Sequence, residues 1–459
     1  MRSALLLVIF GAVFAIALVI SDVGNWENTH YARTIDLSRG YVKETDLIQI
    51  TNDGDTKQKI YYFTLNDGFD AIDDLSIISV GVDSTTLAVK ALDSGLFEIT
   101  LPKAVSPGDS VELRVSYVYL KGLEPVPKQI DMADSQQLVV KLNKMPYLPY
   151  STKEYSLRFI GVAKGQEAEI FDDRATANPV IEARVEEKAL VYGPIVDDIE
   201  PFSVEPFGLI YEHQQPLAKV ENLHRSVWIP SAAGQVQFEE YYELTNQGAE
   251  LDKGFSRVDW MHGRYELTRD HWALKQLEFP MADTDFDDYY FTDKVGMVLT
   301  HKKIQNFLVL QPRFPLFGGW HYNFTLGWNQ PIGKAVHKID EDTYIARAPL
   351  LNSARDVVYK NVYLSFYLPE GAEFVNILAP LEYKQVDVED EYLYLDVAQG
   401  HTKVTLKFEN MFDDLGRVNA YIVYRLPAHS YLKKALKISG YTFAALFSYY
   451  LLTLLDLSV

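Results

Sequence analysis

Apolar and polar residues alternate along most of the chain. Val111-Glu-Leu-Arg-Val-Ser-Tyr117, Val362-Tyr-Leu-Ser-Phe-Tyr-Leu368, Lys403-Val-Thr-Leu-Lys-Phe-Glu409 and Val418-Asn-Ala-Tyr-Ile-Val-Tyr424 all keep a period of two. Such a period buries one strand face and leaves the other to water or a second layer, as in antiparallel sheets packed into a sandwich. Turn residues separate the strands at Asn52-Asp-Gly54, Asn66-Asp-Gly68, Pro107-Gly108 and Pro369-Glu-Gly371. Helical spacing is rare. It predicts a helix around 269–278 and another just before the C-terminal apolar segment.

The pattern also repeats. Arg33-Thr-Ile-Asp-Leu-Ser is followed by Ile50-Thr-Asn-Asp-Gly54, and Arg225-Ser-Val-Trp-Ile-Pro by Leu244-Thr-Asn-Gln-Gly248. Phe97, Pro102 and Gly108 match Phe307, Pro312 and Gly318, each 210 positions later, and the strand starting at Val111 matches the one starting at Tyr322. Matches in one order with a slowly growing offset predict duplication of a single sandwich. The acidic stretch Gly193-Pro-Ile-Val-Asp-Asp-Ile-Glu-Pro201 is the expected joint. The expected fold is therefore mainly β: sandwich domains over 22–197 and 198–430, the longer second one with an added β subdomain, and then a single C-terminal transmembrane helix.

Both ends are apolar. Arg2 precedes an uncharged stretch over 3–20, the build of a secretory signal, with Val19 and Ser21 placed for cleavage before Asp22. Ala15 and Ala17 offer an earlier site, and an uncleaved anchor is the competing reading. Residues 438–455 carry no charge and match the thickness of a bilayer, between Lys433, Lys434 and Lys437 on one side and Asp456 on the other. A buried helix of a soluble core is the alternative there. The lysines favour a cytoplasmic N-terminal flank, but a long ectodomain behind a signal translocates regardless of charge. The expected topology is single-pass type I: signal peptide 1–21, transmembrane helix 438–455 and a short cytosolic tail over 456–459. Gly440, Ala444 and Ser448 fall four residues apart on this helix and would permit close packing against a partner helix; otherwise the segment is a lone anchor.

Composition narrows the chemistry. The chain has 459 residues, no cysteine and a formal net charge of −20, which excludes disulfides, thiolate chemistry and zinc–thiolate sites and makes nucleic acid an improbable partner. No H-E-x-x-H, G-x-S-x-G, Walker loop or G-x-G-x-x-G is present. Asp283-Thr-Asp-Phe-Asp-Asp288 fails as a calcium loop, having Asp288 where Gly is needed and Lys294 where Glu belongs. No catalytic residue, cofactor or metal ligand is expected. Asn323-Phe-Thr325 is a candidate glycan acceptor, provided that its side chain faces outward; an unmodified strand asparagine is the alternative.

Immediately before it, Gln311-Pro-Arg-Phe-Pro-Leu-Phe-Gly-Gly-Trp320 packs two prolines, a glycine pair, three aromatics and an arginine into ten residues. The expected role is a rigid core-crossing loop, with Arg313 either stacked on a ring or bridging a carboxylate. Pro312, Arg313, Phe314, Pro315, Gly318, Gly319 and Trp320 of this patch, together with Phe238-Glu-Glu-Tyr-Tyr-Glu-Leu-Thr-Asn246, Gly254-Phe-Ser-Arg257, Tyr290-Phe-Thr-Asp293 and Leu368-Pro-Glu-Gly-Ala372, resemble the ribophorin I family in its fungal form. The resemblance spans the chain and is sharpest in the second half. Gln311 stands where the family usually has arginine, and the sizeable cytosolic domain of animal members is missing.

The resemblance implies a non-catalytic accessory subunit of the eukaryotic oligosaccharyltransferase in the endoplasmic reticulum membrane. That complex transfers a preassembled oligosaccharide from dolichol pyrophosphate to Asn in N-x-S/T of nascent proteins, with catalysis in a multispanning subunit. The implied partners are that subunit and the others of the complex, membrane lipid, nascent polypeptide and the translocation machinery. Without the resemblance, a membrane-anchored receptor or adhesion protein with tandem sandwiches leads, followed by an anchored lumenal hydrolase.

Overall fold

The computed structural model describes residues 24–67, 73–92, 95–120, 122–162, 164–171, 174–178, 183–230, 234–268, 270–281, 286–392, 400–427 and 430–454. The expected signal over 1–21 and tail over 456–459 lie outside the described residues. The described chain is mainly β and divides into two compact units. The first unit comprises 1–217, 247–273 and 317–319; the second comprises 218–246, 274–316 and 320–459.

The first unit centres on five long strands: β1 (Trp26–Asp36), β2 (Val42–Asn52), β3 (Ser110–Tyr119), β4 (Thr152–Ile160) and β5 (Ala189–Ile199). They lie in the order β5-β4-β1-β2-β3, with Ala183–Glu186 outside β5, and Leu75–Val82 then Thr85–Thr86 outside β3. Among the described strands of this sheet only β1–β4 is a parallel pair; its neighbours run antiparallel. A three-stranded sheet (Gln58–Thr64, Leu96–Val105, Val89–Ala91), a four-stranded sheet (Gly165–Glu169, Pro206–Glu212, Gln137–Asn143, Leu123–Pro125) and a short parallel pair (Gln129–Ile130 with Glu250–Leu251) complete the unit. One hydrophobic cluster joins the three sheets, with Ile48 and Leu113 from the large one, Phe63 and Ile99 from the second, and Leu138 and Leu209 from the third. The period of two produces this: alternate residues of β2, from Val42 to Ile50, are buried while Lys43, Leu47 and Gln49 are exposed.

The second unit repeats the plan. Its long strands are β6 (Ala218–Trp228), β7 (Gln235–Asn246), β8 (His321–Pro331), β9 (Val357–Tyr367) and β10 (His401–Phe412), in the order β10-β9-β6-β7-β8. Gln385–Glu391 lies outside β10, and Asp287–Asp293 then Gly296–Met297 lie outside β8. Among its described strands the one parallel pair is β6–β9, the counterpart of β1–β4. Even the irregularities match, since β1 bulges between Asn28 and His30 and β6 between Val220 and Asn222. The three-stranded and four-stranded sheets recur over 277–310 and 336–425, strand for strand.

Several expectations change. The stretch Gly193–Pro201, read as a joint, is largely inside β5, and the first unit continues through Pro206–Glu212 because that strand pairs with Gln137–Asn143. The second unit shows no added β subdomain among the described residues; some of the extra length of the second half is 247–273, which belongs to the first unit and holds the short helix α1 (Arg257–His262). Of the helix expected over 269–278, residue 269 lies outside the described residues, and 270–276 are instead non-helical chain leading into the strand Leu277–Pro280, where pairing to Phe307–Leu310 decides the backbone. At the C-terminus, α2 (Ser430–Leu454) forms, but no helix among the described residues is long and apolar enough to cross a membrane. Tyr441, Thr442, Ser448, Tyr449, Tyr450 and Thr453 dilute it, and Leu455 lies outside the described residues.

Candidate functional site

Each unit buries an arginine on the inner face of its large sheet, the first place to seek chemistry. Arg33 on β1 stands opposite Asp46 on β2 and Leu157 on β4; Arg225 on β6 stands opposite Glu240 on β7 and Leu364 on β9. In the first unit Arg33 grips Glu44 with two bonds, Nε to Oε1 at 2.6 Å and Nη2 to Oε2 at 2.9 Å, and also donates to the Asn143 carbonyl. Tyr31 donates to Asp46 Oδ2 at 2.8 Å, Tyr117 donates to Glu44, and Asn66 Nδ2 lies 2.7 Å from Glu44 Oε1. Burial and then the Glu44 charge push Asp46 well above the usual carboxylate range. Asp67, 3.6 Å from Arg33, is pushed up to about 6 by burial against the pull of that guanidinium.

Two carboxylates thus share one guanidinium with a third acid, Asp46, in the same cluster, and its centre has no exposed surface: Arg33, Glu44 and Asp46 are all fully buried. No substrate reaches it. The second unit is leaner. Arg225 Nη1 lies 3.1 Å from Glu240 Oε1, and its guanidinium carbon sits 5.6 Å from the Phe238 ring and 5.9 Å from Trp328. Tyr242 donates to Glu240 Oε2 at 2.6 Å, while burial raises the Glu240 carboxyl against the pull of Arg225. Among the described residues, no group of three or more His, Cys, Asp or Glu is placed to hold a metal.

The sequence motifs meet one another. Asn246, closing the 238–246 motif, donates to the Leu316 carbonyl at 2.9 Å. Arg313 binds Asp293 of the 290–293 motif at 2.6 Å and donates to the Met297 carbonyl at 3.0 Å. Burial alone would raise Asp293, but the hydrogen bonds from Arg313, the Val295 amide and Tyr322 outweigh it and hold the carboxyl below its ordinary value. Of the two readings for Arg313, the structure takes the carboxylate bridge. Phe314 packs edge-on against Trp320, while Pro312 is buried and Pro315 half-buried beside them. In the first unit, Phe317 packs among Trp260, Trp272 and Phe255 at 5.0–5.7 Å. A Cβ on Gly318 would meet the Gly248 carbonyl oxygen at 2.0 Å, and Gly319 holds φ +76°, matching Gly108 at +77°. The structural partner of Gly108 is therefore Gly319: Asn52 and Asn246 pair their amides with the Asp109 and Trp320 carbonyls, the residues just after these glycines.

The outer face of the second large sheet is the remaining candidate. His224 on β6 lies between Tyr241 on β7 and Tyr363 on β9, stacked on Tyr363 at 4.7 Å with the planes 7° apart. Trp228 stacks on Tyr367 one end of the sheet further on, at 3.6 Å. Asn323 on β8 is half-buried on this face and donates to the Tyr241 hydroxyl at 3.0 Å. The sequence reading named Asn323 but not the rings around it; their signal was the outward phase of the same alternating strands. Gly440, Ala444 and Ser448 are exposed along α2, and a Cβ on Gly440 would meet nothing.

Fold and sites together define a mainly β protein made by repeating one three-sheet unit, with its charge clusters sealed inside. It belongs to the Ribophorin I family, whose family model matches residues 26–453. Curated relatives include dolichyl-diphosphooligosaccharide–protein glycosyltransferase subunit 1 of Caenorhabditis elegans, 28% identical over 97% of this chain and 74% of that protein. The Schizosaccharomyces pombe protein of the same name is 27% identical over 87% of this chain and 88% of its own length. Among solved structures, an M1 zinc metallopeptidase of Deinococcus radiodurans aligns over 52% of each chain at 12% identity and TM-score 0.24, too distant to support an argument.

Proposed function

We propose that this chain is a non-catalytic subunit of an oligosaccharyltransferase in the endoplasmic reticulum membrane, binding the subunit that carries the chemistry. The observation that carries the reading is the family match over 26–453, with relatives named as subunit 1 of that transferase. A second line of support is where the close carboxylates lie. Glu44, Asp46 and Glu240 are inside packed cores, Glu44 and Glu240 paired to arginine and Asp46 held by Tyr31 and Asn66, which suits folding and not turnover.

In this reading 1–21 is a signal that is removed, the two units are related β-sandwiches on the lumenal side, 438–455 spans the bilayer and 456–459 is a cytosolic tail. The stripe Gly440, Ala444 and Ser448 then faces a partner helix, and Asn323 carries a glycan. Purification of the tagged chain in mild detergent, with identification of the co-purifying proteins, tests the assignment. Recovery with a multispanning glycosyltransferase subunit supports it. Recovery of the whole population alone overturns it and favours a receptor.

A further inference from the structure

The two large sheets share topology and register, so they separate what the fold requires from what it does not. Around Tyr241, His224 and Tyr363 the second sheet presents rings to the outside. At the same register the first sheet has Leu47, Ala32 and Ser156. The fold is therefore satisfied without aromatics there. The position of Asn323, opposite Glu243 on β7, is taken in the first unit by Glu112, opposite Gln49 on β2. Glycan acceptor and rings are present together in one copy and absent together from the other.

We propose that the glycan attached at Asn323 lies across Tyr241 and His224, and that these rings are its intramolecular seat. The inference rests on the reading of Asn323 as an occupied acceptor. The first N-acetylglucosamine would be bonded to Asn323 Nδ2, the atom 3.0 Å from the Tyr241 hydroxyl, so the sugar begins in contact with that residue. His224 is one strand further, and two strand spacings of about 10 Å match the reach of a two-sugar core. Pyranose rings carry a C–H face that packs on aromatic rings, while their hydroxyls and acetamide need polar partners. Glu243 and Asn222, bonded to each other at 2.6 Å beside Asn323, supply these.

The test uses the full chain purified from a glycosylating eukaryotic host. Glycopeptide mass spectrometry first measures occupancy at Asn323; an unmodified Asn323 overturns the acceptor reading and this inference with it. On occupied protein, His224 modification by diethylpyrocarbonate is compared with that of N323Q, with His30 on β1 as the internal reference. The glycan is expected to slow His224 roughly three-fold to tenfold, the range one aromatic stacking contact supports, and to leave His30 unchanged. Y241S, with Asn323 still occupied, is expected to restore the fast rate. Equal His224 rates in occupied protein and N323Q overturn the seat while leaving the acceptor intact. Protection in N323Q equal to that of occupied protein within the detergent-purified complex also overturns it, in favour of a protein covering the same face.

Discussion

The two units hold one arginine each at the same register and neutralise it by different means. Around Arg33 the answer is polar: a bidentate Glu44, a second acid at Asp46, and donors from Tyr31, Tyr117 and Asn66. Around Arg225 the register position of Glu44 is Phe238 and that of Tyr117 is Trp328, two rings stacked 5.1 Å apart with planes 3° from parallel. One carboxylate and two aromatic faces replace a network. The exchange leaves Arg225 Nε without a hydrogen-bond partner among the described residues, and Nη1 with its ion contact to Glu240 alone. It also removes the surplus acid. A buried charge can thus be held by saturating it with hydrogen bonds or by surrounding it with polarisable rings, and one backbone accommodates both.

The largest test of the contrast is removal of the two arginines. Arg33→Met leaves several acids without a counter-charge, and the first unit is expected to lose about 3–5 kcal/mol. Arg225→Met leaves a single carboxylate that can take up a proton, with rings to pack against the new side chain, so the loss is expected to be about half as large. Hydrogen–deuterium exchange of peptides from β1 and β6 reads each unit separately; equal losses would remove the distinction.

Next comes the glycine pair of the family motif. Gly318→Ala forces backbone apart at Gly248 and is expected to cost about 3 kcal/mol. Gly319→Ala and Gly108→Ala pay only for the left-handed backbone, about 1–2 kcal/mol each and nearly equal, measured by chemical denaturation.

The acid-rich cluster makes a smaller, pH-dependent difference. Asp46 and Asp67 hold protons in the folded chain that the unfolded chain has released, so their contribution favours the fold at low pH. It is lost as pH rises from about 4, the unfolded carboxylate value, towards the Asp67 value of about 6 and on towards that of Asp46. Asp46→Asn is expected to flatten the slope in the first unit and leave β6 exchange unchanged. A slope that survives in that variant would assign it elsewhere. Smallest is Arg313→Lys. It keeps the charge but loses the fork on Asp293, and because the guanidinium is solvent-screened the expected lowering of the thermal midpoint is the smallest of the set.

Strand placement was legible because burial of one sheet face imposes a period of two, as β2 and β10 display residue by residue. Duplication was legible from Arg33 and Arg225 heading similar strings, although the string does not say that each arginine is buried. The region 269–278 misled because a short charged-and-apolar run satisfies helical spacing, while Leu274 is bridged to Leu316 and Leu277 and Glu278 pair with Leu310 and Val309. The partner of Arg313 could not be read either. Asp293 is twenty residues away, and only a folded hairpin brings them together. The outward rings near Asn323 were invisible for a simpler reason: alternation names a face, not what lies beyond it.

The irregular segment around Phe317 also bears on synthesis. Residues 317–319 complete the first unit, with Phe317 seated among Trp260, Trp272 and Phe255, so no continuous stretch of N-terminal sequence contains that unit whole without also carrying parts of the second. While the chain emerges from the ribosome, the aromatic pocket stays unfilled until about a hundred residues beyond Leu217 have been made. A fragment cut at Leu217 would keep the three larger sheets but lack the aromatic pocket, its Phe317 plug and the strand that pairs with Gln129–Ile130.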